Sequence, residues 1–179
     1  MINGYNPLIL TALEFFINNP YEEIHLREFS RRLKISVNSA QRFLSLFLKE
    51  CLIKEQRRAN LRYFRANLDS IVFKNVKITY SLKKIQDSGL INFLKDKFTY
   101  VVLFGSVAKG LDDKDSDLDI VGIGNKRKYD IYEFEKKIGK EITLQVFSLE
   151  QWKKAKSENK AFYQDVISTG INLIGEMPV

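Results

Sequence analysis

The chain runs to 179 residues, yet it holds one cysteine, one histidine and one tryptophan. Each scarcity excludes something. Cys51 has no second thiol to pair with, so an internal disulfide is ruled out. One cysteine and one histidine, His25, fall short of a structural zinc site's ligand set. No apolar run approaches the length of a membrane span. The opening residues, MINGYNPLIL, lack the charged-then-apolar order of a signal peptide. A cytoplasmic protein with no membrane partner is the expectation.

What is present is aromatic and basic. Hydrophobic residues make up 45% and charged residues 28%, as in ordinary soluble domains. Thirteen Phe and eight Tyr supply core material. The net charge of +7 points to acidic partners such as nucleic acid or nucleotides. That excess is uneven. Residues 1–67 carry 11 Lys+Arg against 6 Asp+Glu, or +5, whereas residues 68–179 carry 18 against 16, or +2. Eight of the first eleven cations are Arg, whose flat fork of donors suits phosphates and guanine edges.

The first third reads as three helices and a hairpin. In NPLILTALEFFINNP, Leu8, Ile9, Ala12, Leu13, Phe16 and Ile17 recur at helical spacing, and Asn18, Asn19 and Pro20 end the run. A short helix follows in HLREFSRRLKI, with His25 as a cap or surface residue. Ser36 is a suitable N-cap for a third helix. Its expected apolar stripe is Val37, Ala40, Leu44, Phe47, Leu48 and Cys51, leaving Asn38, Ser39, Gln41, Arg42 and Ser45 off it. Ile53–Gln56 and Leu61–Arg65 read as strands joined at Arg58-Ala59-Asn60.

This order over residues 5–67 resembles the winged helix-turn-helix DNA-binding family. The resemblance implies double-stranded DNA as a partner. Asn38, Ser39 and Arg42 would be its contacts on the third helix, and Arg57, Arg58 and Arg62, with Arg65, those on the wing. It also allows a homodimer on a two-fold target. A solvated arginine-rich hairpin is the competing reading.

Residues 68–97 read as a helical linker that breaks at Ser88-Gly89. Beyond it, strands and helices alternate: TYVVLFGS, DLDIVGIG and EITLQVFS as strands, with KYDIYEFEKKIG as a helix between the last two. LEQWKKAKSENKAFYQDVISTG is helical, with Trp152 as a core residue, and INLIGE is a last short strand.

The chemistry concentrates in FGSVAKGLDDKDSDLDIVGIG, Phe104 to Gly124. Gly105 lets the backbone turn sharply after a strand and approach a ligand. The amides that follow, with the Ser106 hydroxyl, can face a phosphate. Asp117 and Asp119 lie two apart, so on a strand their carboxylates share a face. Two hard oxygen ligands side by side suit magnesium, and without a cation their repulsion costs stability. Asp112, Asp113 and Asp115 read as loop acids outside such a site.

FGSVAKG followed by DSDLDI is similar to the nucleotidyltransferases of the DNA polymerase beta superfamily, in particular the small minimal ones, over residues 98–147 and loosely to 179. The resemblance implies transfer of a nucleoside monophosphate from a nucleoside triphosphate to an acceptor, with Mg2+ or Mn2+. Gly105 and Ser106 would match the triphosphate-binding turn, and Asp117 and Asp119 two metal ligands. Lys109 and Lys114 are candidate phosphate partners or plain solvated lysines. Two ions about 3.5–4 Å apart would serve the acceptor oxygen and the leaving pyrophosphate. The family's third carboxylate aligns with Thr143, which is neutral. Either Glu141, two positions earlier and on the same face, replaces it as the third catalytic acid, or that ligand is lost.

The expected fold is α+β, a winged helix domain followed by a nucleotidyltransferase domain whose mixed sheet is flanked by helices. The expected boundaries are 1–67, 68–97 and 98–179. Two functions compete: a nucleotidyltransferase coupled to DNA binding, and a DNA-binding regulator whose second domain binds nucleotide without transfer.

Overall fold

The computed structural model describes residues 7–125, 127 and 129–179. Asn6 and Lys128, at the starts of two expected helices, lie outside the described residues. The chain divides into two compact units, Met1–Asn75 and Val76–Val179.

The first unit runs α1 (Pro7–Asn18), β1 (Ile24–His25), α2 (Leu26–Arg32), α3 (Val37–Lys49), β2 (Ile53–Arg58) and β3 (Leu61–Ala66). The α2 helix starts where the His25 Nδ1 accepts the Glu28 amide at 3.3 Å. Ser36 caps α3 by accepting the Ser39 amide at 3.1 Å, a contact whose loss costs about 1 kcal/mol in such caps. The buried stripe of α3 is Ala40, Phe43, Leu44 and Phe47, an i, i+3, i+4, i+7 set. That corrects the sequence expectation at two ends. Val37, in the first turn, is exposed, and Cys51 lies beyond the helix, exposed and at φ 56, so neither joins the stripe. Phe16 packs on Phe29 and Phe47, with ring centroids 5.3 and 6.2 Å apart. The three strands form one antiparallel sheet in the order β1-β3-β2. The two-residue β1, too short to show a period, was not legible in the sequence.

The long helix α4 (Ile71–Ser88) leads on to α5 (Leu90–Lys95), and Gly89 between them adopts φ 85. Next come β4 (Phe98–Phe104), α6 (Gly105–Ala108), β5 (Leu118–Gly124), α7 (Tyr132–Ile138) and β6 (Ile142–Phe147). Two helices, α8 (Leu149–Glu158) and α9 (Lys160–Thr169), precede β7 (Ile171–Ile174). The sheet order is β6-β5-β4-β7. Only β5–β6 is parallel, so the sheet is mixed.

Side-chain alternation splits the sheet's residues between two cores. Val101, Leu103, Leu118 and Ile120 pack with Ile85, Leu90, Leu94 and Ile138. Val102, Phe104, Val121 and Ile123 pack with Trp152, Ala155, Tyr163 and Val166 from α8 and α9. Trp152 is buried, as expected, and its Nε1 donates to the Pro178 carbonyl. With both faces covered, the central strands are apolar nearly throughout. Asp119 interrupts β5 on the α8–α9 side. No helix among the described residues is long and apolar enough to cross a membrane.

Candidate functional site

The turn from β4 into α6 brings the first two elements of the site together. Gly105 has φ 73, a conformation that disfavours any side chain. A Cβ there would lie 2.3 Å from Asp119 Oδ2. The Asp119 carboxylate therefore lies against the bare backbone of the glycine turn. The pairing of β4 with β5 explains this, because Phe104 and Asp119 are register partners. Ser106 follows, half-buried.

Asp119 is half-buried, while Asp117 is exposed and precedes β5 by one residue. Since β5 pairs on both sides, the two acids mark the beginning of an inner strand. Burial pushes the Asp119 carboxyl above the usual carboxylate range, and the charges of Asp117 and Asp165 push it further. A divalent cation would relieve both effects, since it replaces lost solvation and offsets like charge. The donor chemistry of Asp117 and Asp119 fits such an ion. Among the described residues, however, no group of three or more His, Cys, Asp or Glu is placed to hold a metal.

Thr143 is the parallel register partner of Asp119 and is exposed. Glu141 is exposed too, just ahead of β6, and its carbonyl accepts the Leu118 amide at 2.8 Å. The charges that raise Asp119 do not include that of Glu141. The structure thus groups Gly105, Asp117 and Asp119, and does not gather Glu141 into a three-carboxylate cluster.

Asp165, on α9, is the acid that sequence reading passed over. Its Oδ1 lies 2.7 Å from Lys109 Nζ, and the Thr169 hydroxyl donates to the same oxygen at 3.3 Å. Lys109 is accordingly engaged by a carboxylate beside the glycine turn. Lys114 is exposed in the loop between α6 and β5. No local pattern in the sequence ties Asp165 to Asp119, for the two meet only through the packing of α9.

Asp112 lies in the α6–β5 loop, outside the Asp117–Asp119 pair as expected, and it is buried there. It is 5% exposed and lies between two lysines. Lys77 Nζ, itself 1% exposed, is 3.3 Å from Asp112 Oδ1, and Lys140 Nζ is 3.3 Å from Asp112 Oδ2. Burial presses the Lys77 ammonium below its ordinary pKa, against the pull of Asp112.

In the first unit, Asn38 and Arg42 are exposed on α3, and Ser39 is half-buried. Arg57 is 78% exposed, with a 3.3 Å contact to Glu55. Arg58 pairs with Glu23 at 2.8 Å. Arg62 holds Glu55 through two hydrogen bonds, of 2.8 and 2.5 Å. The expected wing arginines are therefore unequal: two of the four, Arg58 and Arg62, are substantially occupied by internal acids. Arg65 is exposed on β3.

Residues 87–167 match the nucleotidyltransferase domain family. That stretch has the mixed sheet and flanking helices expected of such a domain, and the match supports a nucleotidyltransferase enzyme. A solved structure described as a toxin-antitoxin with AMP-PNP is similar over 49% of this chain and 71% of its own, at 24% identity and a TM-score of 0.33. No curated protein matches the chain.

Proposed function

We propose that the second unit transfers a nucleoside monophosphate from a nucleoside triphosphate to an acceptor, with Mg2+ or Mn2+. The observation that carries this reading is the Asp119 carboxylate held against the Gly105 backbone, with Asp117 two residues before it. Asp117 and Asp119 would hold the cation. When bound, it would neutralise triphosphate charge and favour the ionised acceptor oxygen. The Gly105-Ser106 turn would receive the phosphates, since its backbone is bare and the Ser106 hydroxyl can donate. Lys109, held by Asp165, would offer an ammonium beside them. The new bond joins the acceptor oxygen to the α-phosphorus, and the bond to pyrophosphate breaks. Incubation with Mg2+, labelled triphosphates and a broad set of acceptors should give a labelled product that Asp117→Asn abolishes. No product across that set would sink the reading.

In the same reading the first unit is a winged helix, with α3 and the β2–β3 hairpin facing double-stranded DNA. Its three helices and β1-β3-β2 sheet support this. The exposed Arg42 and Arg57 would contribute more than Arg62, which Glu55 already occupies. Affinity should fall steeply with salt, and Arg42→Ala should lower the salt slope by about one. Absence of binding at low salt would rule the DNA role out.

A second reading draws support from Thr143 beside Asp119 and from the lack, among the described residues, of a third acid placed for metal. On that reading the domain binds nucleotide and regulates without transfer. Nucleotide uptake by calorimetry, with no product from any acceptor, would favour it.

A further inference from the structure

The two acids of the proposed site are positioned by different means. Asp119 belongs to β5 and is fixed by the sheet. Asp117 lies outside the strand, exposed, at the end of the loop that joins α6 to β5. Its position therefore depends on how that loop is held.

Two lysines hold it. Lys140, between α7 and β6, has its side chain only 14% exposed. Its Nζ donates to the carbonyls of Asp113 and Ser116, the latter at 3.0 Å, and lies 3.3 Å from Asp112 Oδ2. Lys77, on α4, donates to the Asp112 carbonyl at 2.8 Å and pairs with Asp112 Oδ1. Three loop carbonyls and one carboxylate thus face two ammonium groups. Ser116, whose carbonyl Lys140 takes, is the residue bonded to Asp117. Short bonds inside the loop complete the turn: the Asp113 amide donates to Ser116 Oγ at 2.9 Å, and the Asp115 amide to Asp113 Oδ1 at 3.1 Å.

Burying two lysines around one carboxylate is a poor route to stability, because desolvation offsets most of the attraction. Apolar residues of like volume would serve a core as well. What the lysines add is direction, since an ammonium at a fixed place orders the carbonyls around it.

We propose that Lys140, backed by Lys77 through Asp112, is a positioning residue that pins the α6–β5 loop and so sets Asp117 beside Asp119. The inference rests on the proposed role of those two acids. Lys140 acts as a tethered cation and touches neither nucleotide nor acceptor. Removing it leaves Asp119 in its strand and releases Asp117.

The test compares wild type with Lys140→Met, using Mg2+-ATP affinity by calorimetry and amide hydrogen exchange over residues 113–118, both well below the melting temperature. Lys140→Gln, which keeps donors but no charge, serves if the first variant fails to fold. The expected result is faster exchange through the loop, unchanged exchange in the centre of β5, and an affinity loss of at least about tenfold, as for other outer partners of metal ligands. A role in stability alone would lower the melting temperature and leave the folded protein's affinity untouched, which would overturn the proposal. Wild-type exchange at the loop amides in a folded variant would overturn it too. If the wild-type protein takes up no Mg2+-ATP, the proposed function fails, and the exchange result alone decides whether the loop is pinned.

Discussion

The second unit holds Asp119 differently from the paired acids of the first. In the first, several acids pair with bases at the surface. Arg32 pairs with Glu22 and Glu28 at 2.5 and 2.7 Å, Arg58 with Glu23, Arg62 with Glu55, and Lys54 with Asp69. Hydrogen bonds from those arginines hold the Glu28 and Glu55 carboxyls below their usual range. In the second unit, Asp119 is half-buried among like charges and its carboxyl is pushed the other way. A fold gains nothing from that repulsion, so a group held against its own stability marks a place where a ligand is expected. On the proposed reading, the contrast separates residues that support the chain from residues that hold a ligand.

The largest effect should come from breaking the buried Lys77–Asp112–Lys140 cluster of the second unit. Lys77→Met leaves Asp112 buried with a single ammonium and should lower stability by about 3 kcal/mol or more in chemical denaturation. Next comes Asp119→Asn, with two outcomes of opposite sign. Transfer activity should fall more than about 100-fold, beyond the loss from removing an outer partner of a metal ligand. The ligand-free protein should melt higher at neutral pH. Asp119 has a raised folded pKa, so its charged form weakens the fold at every pH above that value. The penalty fades as pH falls toward the ordinary 3.8, and the gap between variant and wild type should close with it. An equal gap at both pH values would break the comparison.

Gly105→Ala should cost about 1–2 kcal/mol for the positive φ, and should displace the Asp119 carboxylate that occupies the Cβ position. A variant that loses stability but keeps nucleotide affinity would remove Gly105 from the site. The smallest effect belongs to the first unit. Glu55→Gln should weaken it by about 1 kcal/mol or less at pH 7, since Arg62 in this half-buried pair remains partly open to solvent. Because Arg62 depresses the Glu55 pKa, the wild-type advantage exists above the ordinary 4.5 and disappears as pH falls through the folded value. Thermal melts at neutral and acid pH check the sign.

Several features were readable from local pattern because their causes are local. Ser36 caps α3, and Gly89 divides α4 from α5. The strands β4 and β5 are apolar runs bounded by turn residues, and the glycine turn and paired aspartates stand out between them. Other features depend on distant partners. Asp112 read only as a loop acid, with no sign of its burial, because Lys77 and Lys140 are 35 and 28 positions away in the chain. Asp165 looked like any helical acid until α9 packed against β4 and α6. The wing arginines looked equivalent, yet Glu23 and Glu55 engage Arg58 and Arg62 and leave Arg57 largely exposed.

By itself, then, the sequence determined most of the order of elements, the glycine at a turn no other residue enters cheaply, and the placement of two carboxylates two residues apart. Spacing and backbone preference act over a few residues, so a linear text can carry them. Tertiary structure decided which charges meet: which arginine stays available, which aspartate is buried between lysines, and which carboxylate is pressed toward Asp119. Electrostatic energy depends on distance and on exclusion of water, and neither exists until the sheet and its helices have closed around the groups concerned.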